Sequence, residues 1–340
     1  MLKNLNKSIA WNAFKHIAWG TLKRRLPVKL VCPFYHLISD DDLPHIQYLY
    51  KPRTLIQFRK DLQFIIKYYK PVSLKDVHNS IISHKPLSND SILITIDDGY
   101  RECYDFIAPE LAWYGIPAVF FLTTSFLDNK SLFSRNKASL LCSVLDKKVL
   151  TIPQISTICN LLDIKNPALD QMKSTVLSLA FKDESVLNKI AEVIDYNFDH
   201  FLRMQQPYMT SQMVDSLIRQ GFEVGAHSAS HKKFLFLTEE EKIHEIQSSM
   251  EFLEKKFSPE IKSFAFPFDD ESMSSNIYGK LKSNVDLFFA AHDLIDDPIP
   301  FVFHRFWMEK YAGDIQIVFK RFYFEKMIRK LRGKDFYKRP

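Results

Sequence analysis

The chain has 340 residues, with 46 Lys and Arg against 40 Asp and Glu for a net charge of +6. That length buries one large core or two ordinary ones, and the charge is mild, with no recognised nucleic-acid-binding motif to accompany it. Eight glycines leave no glycine-rich phosphate loop, and four cysteines (Cys32, Cys103, Cys142, Cys159) without C-x-x-C spacing argue against a cysteine zinc site or a disulfide framework.

Residues 1–27 read as a basic amphipathic segment. Trp11, Phe14, Ala18 and Leu22 share a helical face flanked by Lys7, Lys15, Lys23, Arg24 and Arg25. That is the pattern of an interfacial helix, and equally of a helix packed on the protein's own core. Asn12, Lys15 and His16 interrupt any signal-peptide core, so no cleavable signal is expected. No apolar run is long enough to span a bilayer.

From there, apolar strand-like runs alternate with amphipathic helices. The runs are 28–36, 91–98, 118–124, 222–228, 263–269, 286–293 and 301–306, and the helices are 54–69, 104–114, 210–220 and 238–257. Alternation of this kind implies a parallel sheet with helical crossovers. The α/β core is therefore expected over 28–127 and 207–312 as one domain. Residues 128–206 contain helix-like pieces and no convincing strand, and read as a helical insertion. Residues 313–340 form a basic tail in which Phe322, Tyr323, Met327, Ile328 and Leu331 alternate with Lys326, Arg329, Lys330 and Arg332.

Polar residues recur at the C-terminal ends of the runs: His36, then Asp97 and Asp98, then His227, then Pro267 to Asp270, then His304 and Arg305. In a parallel barrel those ends converge on one face, where active sites form. Two adjacent carboxylates closing a buried strand need compensation. His227 and His231, four residues apart, would on a helical turn aim both rings at one point. Two imidazoles and a carboxylate are a common metal-binding set. A cation would hold one aspartate as its ligand and offset the repulsion of the second.

Thr95-Ile96-Asp97-Asp98-Gly99 resembles the T-F-D-D-G motif of the polysaccharide deacetylase family, the NodB-like carbohydrate esterases. His227-Ser228-Ala229-Ser230-His231 is similar to its H-[ST]-x-x-H motif. The resemblance implies a distorted (β/α) barrel of the NodB-homology type, here with a helical insertion. It also implies a metal-dependent hydrolase that removes acetyl groups from N-acetylated sugars of a polysaccharide or its precursor. In that scheme Asp98, His227 and His231 hold one divalent ion, usually Zn2+. Asp97 is the base for metal-bound water attacking the acetyl carbonyl, and the backbone N–H of Tyr100 helps hold the oxyanion. The late L-x-H motif of the family corresponds to Val302-Phe303-His304, which makes His304 the expected acid, with His292 as its rival.

Phe264-Ala265-Phe266-Pro267-Phe268-Asp269 resembles the F-A-Y-P-Y-G form of a third motif, with Ala265 where many members have an Arg that orients the base. Arg305 is a candidate replacement. His36, Pro267, Phe268, Tyr100 and Arg305 are expected to line the substrate pocket. The alternatives are an amidase acting on another acyl amide and a catalytically impaired carbohydrate-binding relative. The expected partner is an N-acetylated saccharide and not nucleic acid. The expected location is the cytoplasm, with reversible contact between the two basic ends and the anionic inner membrane face.

Overall fold

The computed structural model describes residues 7–165, 168–179, 183–311, 313–334 and 336–339. The remaining residues of the N-terminal segment, the helical segment and the tail lie outside the description.

The apolar runs form an eight-stranded, all-parallel sheet. Its strands are β1 (Pro33–Tyr35), β2 (Ile94–Ile96), β3 (Ala118–Leu122), β4 (Glu223–Ala226), β5 (Ser263–Ala265), β6 (Leu287–Ala290), β7 (Val302–His304) and β8 (Phe306–Trp307). Spatial order follows chain order from β1 to β7, with β8 lying beside β1. β7 pairs with β6 through Phe303 and Phe289, whereas β8 pairs with β1 through Phe306 and Pro33. One residue, Arg305, separates those strands, so the same chain segment joins both ends of the sheet and draws it into a nearly closed barrel. A short parallel sheet of Leu30–Val31, Ser91–Ile92 and Lys70–Pro71 extends the strand starts.

Strand periodicity divides the side chains. Cys32, Leu93, Val119, Phe121, Ala265 and Phe289 pack together as one buried cluster inside the barrel, with Phe303 against it. Ile94, Ile96, Phe120, Leu122, Phe264 and Phe288 belong to the larger cluster shared with the surrounding helices.

The helices are α1 (Lys7–Phe14), α2 (Trp19–Arg25), α3 (Leu55–Tyr68), α4 (Leu74–Ile82), α5 (Ala108–Trp113), α6 (Ser134–Lys147), α7 (Ile152–Leu162), α8 (Leu169–Leu179), α9 (Glu184–Val193), α10 (Phe198–Gln205), α11 (Ser211–Arg219), α12 (Glu239–Phe257), α13 (Ser275–Leu281) and α14 (Ile315–Leu331). Thr54 and Thr238 close capping boxes with Gln57 and Glu241 and set the starts of α3 and α12. A π-helical turn, Cys103–Ile107, runs into α5 a few residues after the paired aspartates; such turns are frequent at functional sites. Helices α6 to α10 fill the segment read as helical, with Leu141, Ile158, Val176, Leu187 and Ile190 buried among them.

The basic ends do not present their apolar faces to a membrane surface. Trp11 and Phe14 are buried against Phe324 of α14, at centroid separations of 5.6 and 5.2 Å. Phe322, Tyr323 and Ile328 are buried as well and Met327 is half-buried, while Leu331 is exposed. Burial against a matching helix satisfies the same amphipathic pattern that a membrane would. Among the described residues no helix is long and apolar enough to cross a membrane.

On the buried face of α3, Asp61 receives Arg53 Nη2 at 2.6 Å and the Tyr35 hydroxyl at 3.2 Å. Burial pushes its carboxyl up to about 7 against the opposing pull of Arg53. Arg53→Met strands that group inside the protein and is expected to cost about 3–5 kcal/mol. Arg53→Met with Asp61→Leu should recover most of the loss. Denaturant unfolding of the two variants checks both outcomes.

Candidate active site

Strand β2 delivers Asp97 and Asp98 at its C-terminal end and stops in a left-handed turn. Asp98 has φ 73° and Gly99 φ 81°. That conformation is costly for a residue with a side chain and persists at sites the surroundings over-determine. At Gly99 a Cβ would also meet the Leu122 side chain at 3.3 Å, so a larger residue there would be strained. The turn lets adjacent carboxylates point differently.

Asp97 stays within the barrel. Arg305 grips it bidentately, Nη1 to Oδ1 at 2.6 Å and Nη2 to Oδ2 at 2.8 Å, and Nη1 also donates to Thr95 Oγ1 at 3.1 Å. The guanidinium is fully buried and lies over Phe34 and Phe121, at 4.6 and 5.2 Å. The planar fork matches the carboxylate and fixes its plane.

Asp98 turns toward the histidines. Its Oδ1 lies 2.9 Å from His231 Nε2 and 3.4 Å from His227 Nε2. Burial raises its carboxyl, but the two facing imidazoles, His231 first, outweigh that and hold it well below the usual carboxylate range. The rings are not brought together by a helical turn, as the i, i+4 spacing suggested. Residues 227–231 are loop, bent by left-handed conformations at Ser228 (φ 64°) and His231 (φ 59°). Glu245 of α12 holds this loop by accepting from the Ala229 and Ser230 backbone N–H groups at 3.0 and 2.9 Å.

The donor set fits a cation. The ligand atoms of Asp98, His227 and His231 all lie within 4.8 Å of one another and all three residues are buried. His227 Nδ1 is 2.9 Å from the Ala265 carbonyl. A proton on Nδ1 donates there and leaves the Nε2 lone pair facing Asp98, the arrangement that orients metal-binding histidines. Asp98 Oδ1 is buried and receives no aligned hydrogen bond, as expected of an atom that ligates an ion instead.

These residues open into a cavity of about 230 Å³ at the strand ends. His36, Tyr100, Phe268 and Arg305 line it, as expected, together with Asp97, Asp98, His227 and His231. The Tyr100 hydroxyl is tied to Asn136 at 3.2 Å. Phe133 and Arg135, at the start of the helical segment, form part of the wall, so that segment borders the cavity on the aspartate side of the barrel.

Two of the expected site residues lie off this cavity. His304 does not face this cavity: strand alternation sends Phe303 and Arg305 inward and His304 outward. It pairs with Asp297 at 2.8 Å, while the rival His292 pairs with Asp270 at 2.6 Å. Arg339 bridges both aspartates and Tyr337 stacks on His292 at 4.3 Å, so the two histidines belong to an outer cluster. Pro267 is buried and off the cavity wall, which Phe266 and Phe268 supply; its carbonyl instead closes a turn with Asp269 N–H. Arg305 lines the cavity as expected, and its two Nη groups bond Asp97 and Thr95, which places it where a base-orienting arginine would act.

Glu309 was not read from the sequence. Its fully buried side chain follows β8, accepts the His36 backbone N–H at 3.0 Å, and lies 3.7 Å from His36 Nδ1. Burial lowers the His36 pKa, but Glu309 and then the Asp98 charge more than reverse this, so it stands above the ordinary histidine value. Tyr50 and Trp307 flank the ring at 5.1 and 5.6 Å. The strand-end rule that singled out His304 and Arg305 reaches Glu309 when carried a few residues further.

A parallel α/β barrel with an Asp-Asp pair and two histidines at its strand ends defines a class of hydrolases. The polysaccharide deacetylase family matches at residues 84–156 and 170–282, more than half of the chain, and the chain belongs to that family of hydrolases acting on carbon–nitrogen bonds. The gap in the match falls inside the helical segment. No curated protein sequence matches the chain. Among solved structures, the fold is similar to that of the Streptococcus pyogenes deacetylase PplD, solved in complex with acetate. That similarity has a TM-score of 0.55 at 12% identity and spans 86% of this chain and 98% of that one. IcaB from Ammonifex degensii is similar at TM-score 0.53 and 14% identity, over 86% and 96% of the two chains. A de-N-acetylase from Aggregatibacter actinomycetemcomitans is similar at 0.50 and 15%, over 86% and 99%.

Proposed function

We propose that this polysaccharide deacetylase removes acetyl groups from N-acetylated sugars of a polysaccharide or its precursor. We further propose that it does so with one divalent ion, Zn2+ by donor chemistry, held by Asp98, His227 and His231. The observation that carries the reading is the division of labour between adjacent aspartates: Arg305 fixes Asp97, and the two histidines face Asp98. A catalytically impaired relative has no use for that division.

When bound, the ion polarises the acetyl carbonyl and lowers the pKa of water beside it. Asp97, held in one plane by Arg305, takes the proton of the attacking water. The Tyr100 backbone N–H, directly after Gly99, is assigned to the oxyanion. His36 is the acid. It lines the cavity, Glu309 favours its protonated form, and it donates to the departing amine.

His36→Gln is expected to lower kcat by roughly 100-fold on an N-acetyl sugar. The loss should shrink on an activated aryl acetamide, whose leaving group needs less protonation. An equal loss on both substrates would place His36 in binding rather than proton transfer. The overall reading is tested by acetate release from a panel of N-acetylated saccharides, with N-butyryl analogues beside them. The analogues are included because Phe34, Leu49, Tyr50 and Trp307 give the cavity apolar walls. Preference for acetyl supports the reading. Preference for the longer acyl group would favour the amidase alternative.

A further inference from the structure

Residues 336–339 follow α14 and dock on the outer cluster of the barrel. Phe336 bridges Asp296 in parallel, and the Tyr337 backbone N–H donates to the Asp296 carbonyl at 2.8 Å. The Tyr337 ring centroid lies 4.3 Å from that of His292 and 5.1 Å from that of His304. The Arg339 guanidinium pairs with Asp270 through Nη1 and with Asp297 through Nη2, and Nη1 also donates to the Tyr278 hydroxyl at 3.2 Å. Both carboxylates are fully buried, and the Arg339 side chain is 4% exposed.

The two carboxylates stand on different loops, and each loop supplies part of the cavity wall. Asp270 lies between β5 and α13, two residues after Phe268, which lines the cavity and is held at φ 63°. Phe268 in turn stands edge-on to His231, with centroids 4.9 Å apart. Asp297 lies between β6 and β7, in the loop that opens with Ala291, also on the cavity wall, and then His292. His292 Nε2 meets Asp270 at 2.6 Å and joins the loops once. Arg339 joins them a second time. Burial raises the Asp270 carboxyl, but the His292 hydrogen bond and then the Arg339 charge outweigh this and hold it well below the usual carboxylate range. Two buried anions on separate loops repel unless a cation sits between them, and a planar fork can serve both at once. A tail that merely covered apolar surface would have no use for a guanidinium at that place.

We propose that the C-terminal tail is a strap and that Arg339 is a positioning residue for the candidate active site. It draws together the loops that carry Phe268 and Ala291, and so sets the width of the cavity that receives the saccharide. Arg339 itself lies off the cavity wall and acts through Asp270 and Asp297. The proposal rests on the deacetylase reading for the reaction whose substrate is positioned.

Arg339→Met in the full chain should raise KM for an N-acetylglucosamine trimer roughly tenfold while kcat stays within about twofold, the pattern of lost binding geometry rather than lost chemistry. Guanidinium chloride, well below denaturing concentration, should bring KM back toward the wild-type value, because the free ion fits between the two carboxylates. Sodium chloride at the same concentration should not. Hydrogen exchange of the same proteins reads the strap without reference to activity. Amides of residues 266–274 and 291–301 should exchange faster in Arg339→Met, those of β2 and β3 should not, and guanidinium should slow the two loops again. Tyr337→Ala leaves every charge in place and should give the same pattern at smaller size; it decides the matter if Arg339→Met does not fold. An unchanged KM, or faster exchange throughout the barrel without response to guanidinium, overturns the strap. Faster exchange confined to the two loops and reversed by guanidinium, with no acetate released by the wild type from any saccharide, would keep the strap and sink the deacetylase reading.

Discussion

Asp97→Asn is expected to lower kcat by roughly 100-fold or more while the protein keeps its divalent ion. Asp98→Asn is expected to lose the ion. The difference follows from where two neighbours point. Asp97 has both oxygens on Arg305 inside the barrel, and an asparagine there removes the basic lone pair; it stands 3.8 Å from His227 Nε2, farther than Asp98 from either ring, and keeps the three ion-holding side chains in place. Asp98 offers its Oδ1 to the gap between His227 and His231, and an amide there is a weaker ligand. Metal analysis of the purified variants beside steady-state rates gives both answers. An Asp97→Asn protein without metal and an Asp98→Asn protein that retains it would reverse the assignments.

Arg305→Met is expected to be among the most damaging single changes in the chain, costing about 3–5 kcal/mol and nearly all activity. Arg305 is fully buried and is the cation that compensates Asp97, itself 2% exposed. Removing it leaves Asp97 uncompensated inside the barrel and takes the Arg305 donor away from Thr95 Oγ1, the circumstance in which a broken buried pair costs most. Arg305 also lies in the one-residue gap between β7 and β8, where the ends of the sheet meet, so the strain falls on barrel closure. Arg305→Lys keeps the charge but loses the fork, and should recover stability more than rate. Combining Arg305→Met with Asp97→Asn should restore part of the stability and none of the rate. Unfolding midpoints and kcat for the single and double variants separate the two contributions, and additive stability losses would mean the pair is not coupled.

Much of this was readable from the chain because strand ends in a parallel barrel concentrate function, and β-branched runs ending in Asp-Asp-Gly or in histidine mark those ends. His304 and Arg305 show the limit of that rule. Both stand at the end of the same run, and only the face of the sheet distinguishes them. The break at Arg305 and the outward cluster of Asp297 and Arg339 decide it, and both depend on contacts far apart in sequence. The same holds for the termini. An amphipathic pattern says that Trp11 and Phe14 need an apolar partner, but not that Phe324, near the other end of the chain, provides it. Helix α4 was missed, although Ser73 and Asp76 cap it reciprocally. The helical segment was legible as helical, while its place beside the aspartates shows only in Phe133 and Arg135 on the cavity wall.

The central claim is that Asp98, His227 and His231 hold an ion on which amide hydrolysis depends. The direct measurement is acetate release from an N-acetylated oligosaccharide by one protein preparation, first stripped with a chelator and then titrated with Zn2+. The account predicts that release falls to background on stripping and returns as about one equivalent of ion is bound, with no return in His231→Ala. Undiminished acetate release from protein shown to be free of metal, or full recovery in His231→Ala, would contradict it.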